Sequence, residues 1–167
     1  TMHLLDLGHK TVFYIGRVQG ATDNTRANGW KDALEERGIE APEPIVVSDG
    51  NLEKAVKAGH ALGRRGEATA IFADSDETAI AVIRGLRETG RRVPDDVSVV
   101  GFDDRNFGAL WEPSLTSYTQ NFLDMGERSF RMLFEQIQAK RTGADMPPSQ
   151  IEVVQGQPCL RASEREI

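Results

Sequence analysis

The 167-residue sequence has a single cysteine, Cys159, so no disulfide can form within the chain. Such a chain is typical of the reducing cytosol, and we expect a cytoplasmic protein. No apolar run approaches the roughly 20 residues that cross a bilayer, and no charged-then-apolar leader of the secretory type is present. The sequence therefore predicts no association with a membrane.

Basic residues are also in short supply. The chain has 20 Lys and Arg against 26 Asp and Glu, for a net charge of −6. Nucleic-acid-binding domains carry a basic surface, because neutralisation of phosphates dominates their affinity. The short basic groups stand at predicted helix ends, where they complement the helix dipole. We therefore expect this chain not to bind DNA by itself.

The motifs of common enzyme sites are missing as well. The stretch from Gly16 to Gly20 lacks the GxGxxG spacing and the following Lys-Ser of phosphate loops, and there is no GxSxG nucleophile elbow. The three histidines stand far apart, without metal-ligand spacing. A receiver-like magnesium site needs paired acids after the first strand, where this chain has Arg17. We expect no catalytic residues, no metal and no cofactor.

What the sequence does contain is a regular alternation of short β-rich runs and helical stretches. Strands are predicted at residues 11–15, 45–47, 69–73 and 97–102, and helices at 23–37, 51–64 and 76–89. Strands that alternate with helices form right-handed βαβ units, and continuous apolar runs fit strands covered on both faces. The sequence therefore predicts an α/β fold of Rossmann-like type, with a parallel sheet sandwiched by helices.

The pattern changes after residue 102. Residues 103–115 are predicted to form a loop, residues 116–119 a short extended piece, and residues 122–140 a long amphipathic helix. A last strand is predicted at Ile151–Val154. The long helix carries an apolar stripe formed by Phe130, Leu133, Phe134 and Ile137.

Polar residues follow each of the four predicted strands, where ligands of open parallel sheets bind. They are Arg17, Asp23, Asn24 and Arg26 after the first; Ser48, Asp49 and Gly50 after the second; Asp74, Ser75 and Asp76 after the third; and Asp103, Asp104, Arg105 and Asn106 after the fourth. Carboxylates accept hydrogen bonds from hydroxyls and arginine donates in a planar fork, so this edge suits a polyhydroxylated ligand. The same residue types also cap helices, and one of residues 74–76 is expected to cap the helix that follows.

Several motifs, in order along the chain, resemble those of the lactose-repressor/galactose-repressor family of transcription regulators. They are LLDLGHK at residues 4–10, Arg26 before Gly29-Trp30, TAIFA at 69–73 with Asp76, GRRVPDDVSVVGFDD at 90–104, PSLTS at 113–117 with Gln120, and Met125-Gly126. The matches run from Leu4 to about Val154. Any one of them is weak, but their order and spacing together are specific.

The resemblance implies an architecture. The family has two similar α/β subdomains that hold an effector between them, behind an N-terminal helix-turn-helix headpiece. This chain resembles the C-terminal subdomain, of the periplasmic-binding-protein-like type I fold: residues 1–121 form its main part, 122–142 a helix that packs on the first subdomain, and 143–167 the return strand and tail. The headpiece and most of the first subdomain are expected to lie outside the chain. The stripe on the long helix is therefore expected to be exposed.

The resemblance also implies a function, which is the effector-binding portion of a transcriptional regulator or repressor. Operator DNA would be bound only through the headpiece, and the protein would pair as a homodimer. The effector would be a sugar or a related polar metabolite, bound by Arg26, Asp103, Ser75 and Gln120, with Asp49 added from its place after the second strand. Ser75 stands where the family commonly has Asn, and Gly50 where an aromatic residue often walls the pocket. These departures leave a nucleobase or a sugar acid open as the ligand.

Two alternatives remain open from the sequence. A periplasmic sugar-binding protein of a transport system shares the fold, although the stretch VPDDVSVVGFDD favours a regulator. A small α/β enzyme is the second alternative, and the missing nucleophile, metal and phosphate motifs argue against it.

Overall fold

The computed structural model describes residues 1–17, 25–47 and 51–167. In chain order the helices and strands are α1 (Met2–Asp6), β1 (Phe13–Gly16), α2 (Thr25–Glu36), β2 (Ile45–Val46), α3 (Leu52–Arg65), β3 (Ala70–Ala73), α4 (Asp76–Glu88), β4 (Ser98–Val100), α5 (Asn106–Ala109), β5 (Ser117–Thr119), α6 (Phe122–Thr142) and β6 (Gln157–Cys159). The first four predicted strands and the four predicted long helices are thus present, with shifts of at most two residues at their ends.

The main sheet has four strands in the order β2-β1-β3-β4, and every neighbouring pair is parallel. In the register of the central pair, Phe13 lies beside Ile71 and Ile15 beside Ala73. From β1 the chain passes outward to β2 and then crosses back over β1 to β3 and β4. The direction in which strands are added to the sheet therefore changes between β1 and β3. The predicted α/β fold with a parallel sheet is therefore confirmed.

Both faces of this sheet are covered by helices, as predicted from the continuous apolar runs of the strands. One set of alternate strand residues, including Ile15, Ile71 and Val99, packs against α3 and α4. The other set, including Tyr14, Phe72 and Val100, packs against α1 and α2. Successive side chains of a strand point to opposite faces, so the odd-numbered and even-numbered positions of β1 supply different cores.

Helices α3 and α4 cross at very close range on the first of these faces. A Cβ atom added at Gly59 would collide with the carbonyl oxygen of Val82, and one at Gly85 with that of Val56. Gly59 of α3 and Gly85 of α4 therefore have a packing function, because they let the two backbones approach.

The final residues of the chain lie along the open edge of β4. The backbone N–H of Val99 donates to the carbonyl of Ser163, and the Ser163 hydroxyl donates back to the Val99 carbonyl at 2.6 Å. The same hydroxyl accepts the N–H of Thr116 at 2.8 Å. The buried Ser163 thus joins the tail, β4 and the segment before β5.

Two predictions for the part of the chain after residue 102 are wrong. Ile151–Val154 is not a strand, and Ile151 is 93% exposed. A β-prone composition alone does not make a strand, because a strand needs a partner, and β5 pairs with Gln157–Cys159 instead. The segment 103–115 is not entirely loop, since α5 forms one short turn of helix within it.

The chain divides into two compact units. One comprises Thr1–Tyr118 with Pro158–Ile167 and contains the four-stranded sheet, and the other comprises Thr119–Gln157 and contains α6. Asn121 caps α6 by accepting the N–H of Asp124. All four members of the apolar stripe on α6 are exposed, between 46% and 69%, as expected from the sequence.

In the parts of the chain that the structure describes, no helix combines the length and apolar character needed to cross a membrane.

A buried histidine links three elements at the amino end of the sheet. The His9 ring lies 3.0 Å from the Thr69 hydroxyl through Nδ1 and 3.1 Å from the Ser98 hydroxyl through Nε2. Burial lowers the pKa of His9, although a backbone hydrogen bond at Arg165 and the charge of Glu164 act in the opposite direction. The fold therefore favours the neutral imidazole.

We expect this histidine to make the protein less stable in mild acid. Because the pKa of folded His9 lies below the ordinary value of about 6.5, its contribution is complete above that pH and is lost as the pH falls below it. Urea unfolding of the wild type and of His9→Gln at pH 8 and pH 5.5 measures the effect. The wild type should lose more stability than the variant between the two pH values, and equal losses would contradict the assignment.

Candidate functional site

The centre of the candidate site is an ion pair between Arg26 and Asp103. Arg26 lies in the first turn of α2, and its Nη2 donates to Asp103 Oδ1 at 3.0 Å. Its Nη1 donates to the carbonyl oxygen of Asp74 at 2.6 Å. Both side chains of the pair are mostly buried, at 25% and 16% exposure. One guanidinium therefore joins the ends of β3 and β4 to the start of α2.

The aromatic ring of Phe102 packs against this guanidinium. The Cζ atom of Arg26 lies 4.1 Å from the centroid of the Phe102 ring, which is cation–π distance. Phe102 stacks in turn on Tyr118 with ring centroids 5.5 Å apart, and it contacts Phe72 at 6.4 Å. These ring contacts help to fix the position of the Arg26 side chain at the carboxyl edge of the sheet.

Asp74, directly after β3, organises the next part of the edge. Its carboxylate accepts the backbone N–H of Arg17 at 2.8 Å and the hydroxyl of Thr78 at 2.9 Å. The Arg17 side chain, more than half exposed, pairs with the same carboxylate at 3.4 Å. The buried Asp74 thus ties the end of β1 to the first turn of α4.

A cleft of about 270 Å³ opens at this edge of the sheet. Its lining consists of Arg17, Val47, Leu52, Asp74, Ser75, Glu77, Thr78, Asp103 and Arg105. Charges of both signs surround the space, and Arg105 pairs with Glu77 at 3.5 Å. Such a surface can donate and accept hydrogen bonds at the same time, which suits a neutral, many-hydroxyl ligand.

The loop after β4 carries Asp103 in an unusual backbone conformation. Asp103 has φ 98° and Asp104 φ 49°, both positive in residues with side chains. Burial opposes ionisation of Asp104, but its close ion pair with Arg161, at 2.7 Å, holds the pKa of that carboxyl below its ordinary value. Arg161 also donates to the Leu115 carbonyl at 2.7 Å. Arg161 therefore anchors the loop to the segment before β5.

The sequence matches the family of the periplasmic binding protein-like domain over residues 1–163. The chain belongs to this family. Within residues 1–17, 25–47 and 51–167 of the domain, no three His, Cys, Asp or Glu side chains are grouped as a metal ion would require.

Curated relatives of the domain are transcription regulators. The chain is 35% identical over 145 residues to the HTH-type transcriptional regulator CelR of Thermobifida fusca, covering 85% of this chain and 43% of CelR. It is 35% identical over 154 residues to the HTH-type transcriptional repressor PurR of Yersinia pestis, covering 90% of this chain and 44% of PurR. The chain thus spans less than half the length of these relatives.

Solved structures give the same result. A transcription regulator from Lactobacillus plantarum superposes with a TM-score of 0.84 at 27% identity, over 99% of this chain and 63% of that one. A LacI family regulator from Enterococcus faecium with bound ribose gives 0.81 at 26%, over 99% and 61%. A lac repressor dimer bound to operator and the anti-inducer ONPF gives 0.79 at 25%, over 98% and 55%. The resemblance to the lactose-repressor family is confirmed.

The domain brings together three of the five predicted site residues. Arg26 and Asp103 are in contact, and Ser75 lines the same cleft as Asp103. Ser75 also caps α4, because its hydroxyl accepts the N–H of Thr78 at 3.2 Å. Gln120 lies in the unit Thr119–Gln157, and Asp49 lies outside the described residues. Ligand contact by any of the five stays a prediction.

Two residues of the site were not predicted from the sequence. Phe102 contacts Arg26 and Tyr118 stacks on Phe102, yet the sequence pattern predicts only a strand for Phe102 and an extended piece for Tyr118. The alternation of strand side chains carries a signal for Phe102, since residues 100 and 102 share the face that packs against α2. Tyr118 has no such signal, because its partner strand is short and distant in sequence.

We expect Arg26→Lys to destabilise the domain although the charge is kept. Lysine cannot reach Asp103 and the Asp74 carbonyl together from one planar group, nor stack as well on Phe102. Hydrogen bonds to charged groups contribute about 1.5–3 kcal/mol each, so a loss of about 1–2 kcal/mol is expected in urea unfolding. Arg105→Lys is the matched control, because its side chain is 56% exposed, and it should change stability by less than about 0.5 kcal/mol. Equal effects of the two would contradict the role of Arg26.

Proposed function

We propose that the chain is the effector-binding portion of a transcriptional repressor that binds operator DNA through a separate helix-turn-helix segment. On this proposal residues 1–121 and the tail 143–167 form one subdomain of a two-part binding domain, and residues 122–142 form a helix that packs on the other part. The domain binds and does not catalyse, and the protein acts in the cytoplasm. The names of the relatives support a regulator, and the net charge of −6 supports a separate DNA-binding segment.

The observation that carries the proposal is the paired arrangement of Arg26 and Asp103 at the carboxyl edge of the sheet. The Arg26 guanidinium carries five N–H donors, two of which bond Asp103 and the Asp74 carbonyl, and a carboxylate such as Asp103 can accept at both of its oxygens. We propose that a bound ligand accepts hydrogen bonds from Arg26 and donates hydrogen bonds to Asp103. Ser75, Gln120 and Asp49 are proposed as further contacts.

The ligand we favour is a sugar, with a purine as the next candidate. One neighbour contains bound ribose, and curated relatives include a ribose operon repressor from Halalkalibacterium halodurans and several PurR repressors. Binding would shift the equilibrium between open and closed arrangements of the two subdomains and so change the affinity for operator.

A transport-associated sugar-binding protein remains the alternative, because it shares the fold. The reading frame upstream of this chain distinguishes the two, since a helix-turn-helix supports the repressor and a secretory signal supports the transport protein. The small α/β enzyme, which is the other alternative, is tested by measuring whether the protein converts the same ligands into products.

We expect the product of the complete reading frame to bind at least one member of a panel of D-ribose, D-glucose, D-galactose, hypoxanthine and guanine. Isothermal titration calorimetry measures the affinity of the wild type and of Arg26→Ala and Asp103→Ala. Loss of a hydrogen bond to a charged group removes about 1.5–3 kcal/mol, so each variant should bind roughly 10- to 100-fold more weakly.

The control is Arg92→Ala, an exposed residue that pairs with Asp95 and Asp96 away from the cleft. It should leave the affinity unchanged. Ligand binding that survives both Arg26→Ala and Asp103→Ala would refute the site, and no binding by the wild type to any panel member would refute the proposed ligand class.

The partner we propose is a second copy of the same protein. A groove of about 520 Å³ runs between α3 and α4, with an apolar floor that includes Leu52, Ile80 and Trp111. Leu52 and Trp111 are 44% and 39% exposed. An exposed apolar surface of this kind with a polar rim is typical of protein interfaces.

Charges around the groove support a self-association. Glu77, Arg84, Arg87 and Glu88 line it, so both signs flank the apolar floor. In a twofold dimer the same surface meets itself, and acids of one copy can then face arginines of the other. The dimeric state of the lac repressor neighbour is consistent with this choice of partner.

We expect Trp111→Glu to convert a dimer of the complete protein into a monomer. A buried, unpaired carboxylate at the centre of the interface costs several kcal/mol, enough to raise the dimer dissociation constant by more than about 100-fold. Sedimentation velocity at micromolar concentration measures the change, with Ile167→Glu as an apolar-to-acidic control at the amino end of the sheet. A Trp111→Glu dimer as stable as the wild type would exclude this surface.

A further inference from the structure

Asp76 is a fully buried acid that the ligand site does not explain. It is the first residue of α4 and has no exposed surface. Ser75, not Asp76, caps the helix with its side chain, so the Asp76 carboxylate is used elsewhere. Burial raises the pKa of this carboxyl, the hydrogen bonds from Ser117 and Arg105 act in the opposite direction, and the charges of Asp104 and Asp103 raise it further. An acid kept in such a place calls for a reason.

The carboxylate holds the loop after β4 from two sides. Its Oδ2 accepts the backbone N–H of Arg105 at 2.5 Å, and its Oδ1 accepts the hydroxyl of Ser117 at 2.6 Å. The Ser117 oxygen in turn accepts the backbone N–H of Asp104 at 3.1 Å. The backbone N–H of Asp76 itself donates to the Phe102 carbonyl at 2.9 Å.

These bonds enclose Asp103 and Asp104, the two residues with positive φ. Such conformations are unfavourable for residues with side chains and persist only where the surroundings fix them. Asp76 is hydrogen-bonded to Phe102 before this pair and to Arg105 after it. Ser117, which is also bonded to Asp76, accepts the N–H of Asp104. Gly101 leaves the necessary room, because a Cβ atom there would collide with Asp76 Oδ1.

We propose that Asp76 is a positioning residue for the effector site, whose carboxylate fixes the backbone of residues 103–105 so that Asp103 meets Arg26. That the site binds an effector rests on the proposed function, whereas the positioning of Asp103 rests on the hydrogen bonds alone. Asparagine at position 76 has one acceptor and one donor group, so it cannot accept from Arg105 and Ser117 together.

The first test uses the ligand-free 167-residue chain and does not depend on the effector. In Asp76→Asn, hydrogen exchange at the Asp104 and Arg105 amides should accelerate at least about tenfold, because their acceptors are lost or weakened. The side-chain Nε–H resonance of Arg26 should shift as its partner is displaced. Ser117→Ala removes the acceptor of the Asp104 amide and one donor to the Asp76 carboxylate but keeps the bond between Arg105 and Asp76, so it should accelerate exchange at Asp104 more than at Arg105.

The matched control is His9→Asn, which disturbs a buried hydrogen-bond network at the amino end of the sheet. It should lower the unfolding temperature without changing the Asp104, Arg105 or Arg26 signals. If Asp76→Asn does not fold, Ser117→Ala decides the proposal by itself. Unchanged signals in the folded variants would overturn it.

The second test is a double-mutant cycle on ligand affinity in the product of the complete reading frame, with the panel member that the wild type binds. Asp76→Asn should weaken binding about tenfold in the wild type and have no further effect in Asp103→Ala, because it acts through Asp103. Equal weakening in both backgrounds would overturn the positioning role. Failure of every panel member to bind would refute the proposed ligand class, and the ligand-free test would still decide this inference.

Discussion

The parallel direction of the four strands is the constraint on which the site depends. Because β1, β3 and β4 run the same way, their carboxyl ends meet at one edge, and the residues that follow them become neighbours in space. Arg17, Asp74 and Asp103 come from three distant parts of the chain and line one cleft for this reason. An antiparallel neighbour would have placed one of these groups at the opposite edge of the sheet.

The edge is stiffened by polar contacts whose partners come from different elements. Asp74 joins the ends of β1 and β3 to α4, and Asp76 joins α4 to the loop after β4 and to β5. Each carboxylate is buried and hydrogen-bonded, which is how a fold tolerates a charge in its interior. Arg26 then spans the two ends with one guanidinium. The residues on either side of Asp103 are therefore held by hydrogen bonds to buried groups.

The sequence was sufficient for the features that depend on periodicity and on strand ends. Apolar runs gave the four strands, helical spacing gave α2, α3, α4 and α6, and the rule for parallel sheets gave the edge that holds Arg26 and Asp103. It was not sufficient where tertiary partners decide. Ile151–Val154 has the composition of a strand but no neighbour, whereas Gln157–Cys159 pairs with β5 despite a proline. Tyr118 and Asp76 acquire their roles from contacts between residues far apart in the chain.

The mutual neutralisation of Arg26 and Asp103 limits what the cleft can bind. An anion would compete with Asp103 for the guanidinium and be repelled by the displaced carboxylate, and a cation would meet the converse difficulty at Arg26. A hydroxyl can accept from Arg26 and donate to Asp103 in the same position, so it joins the pair without separating the charges. Sugars carry many such groups, and the amide and imine edges of purines offer the same combination. The charge balance of the Arg26–Asp103 pair therefore supports the proposal of a neutral ligand, with donor and acceptor groups side by side, over phosphates, carboxylates or amines.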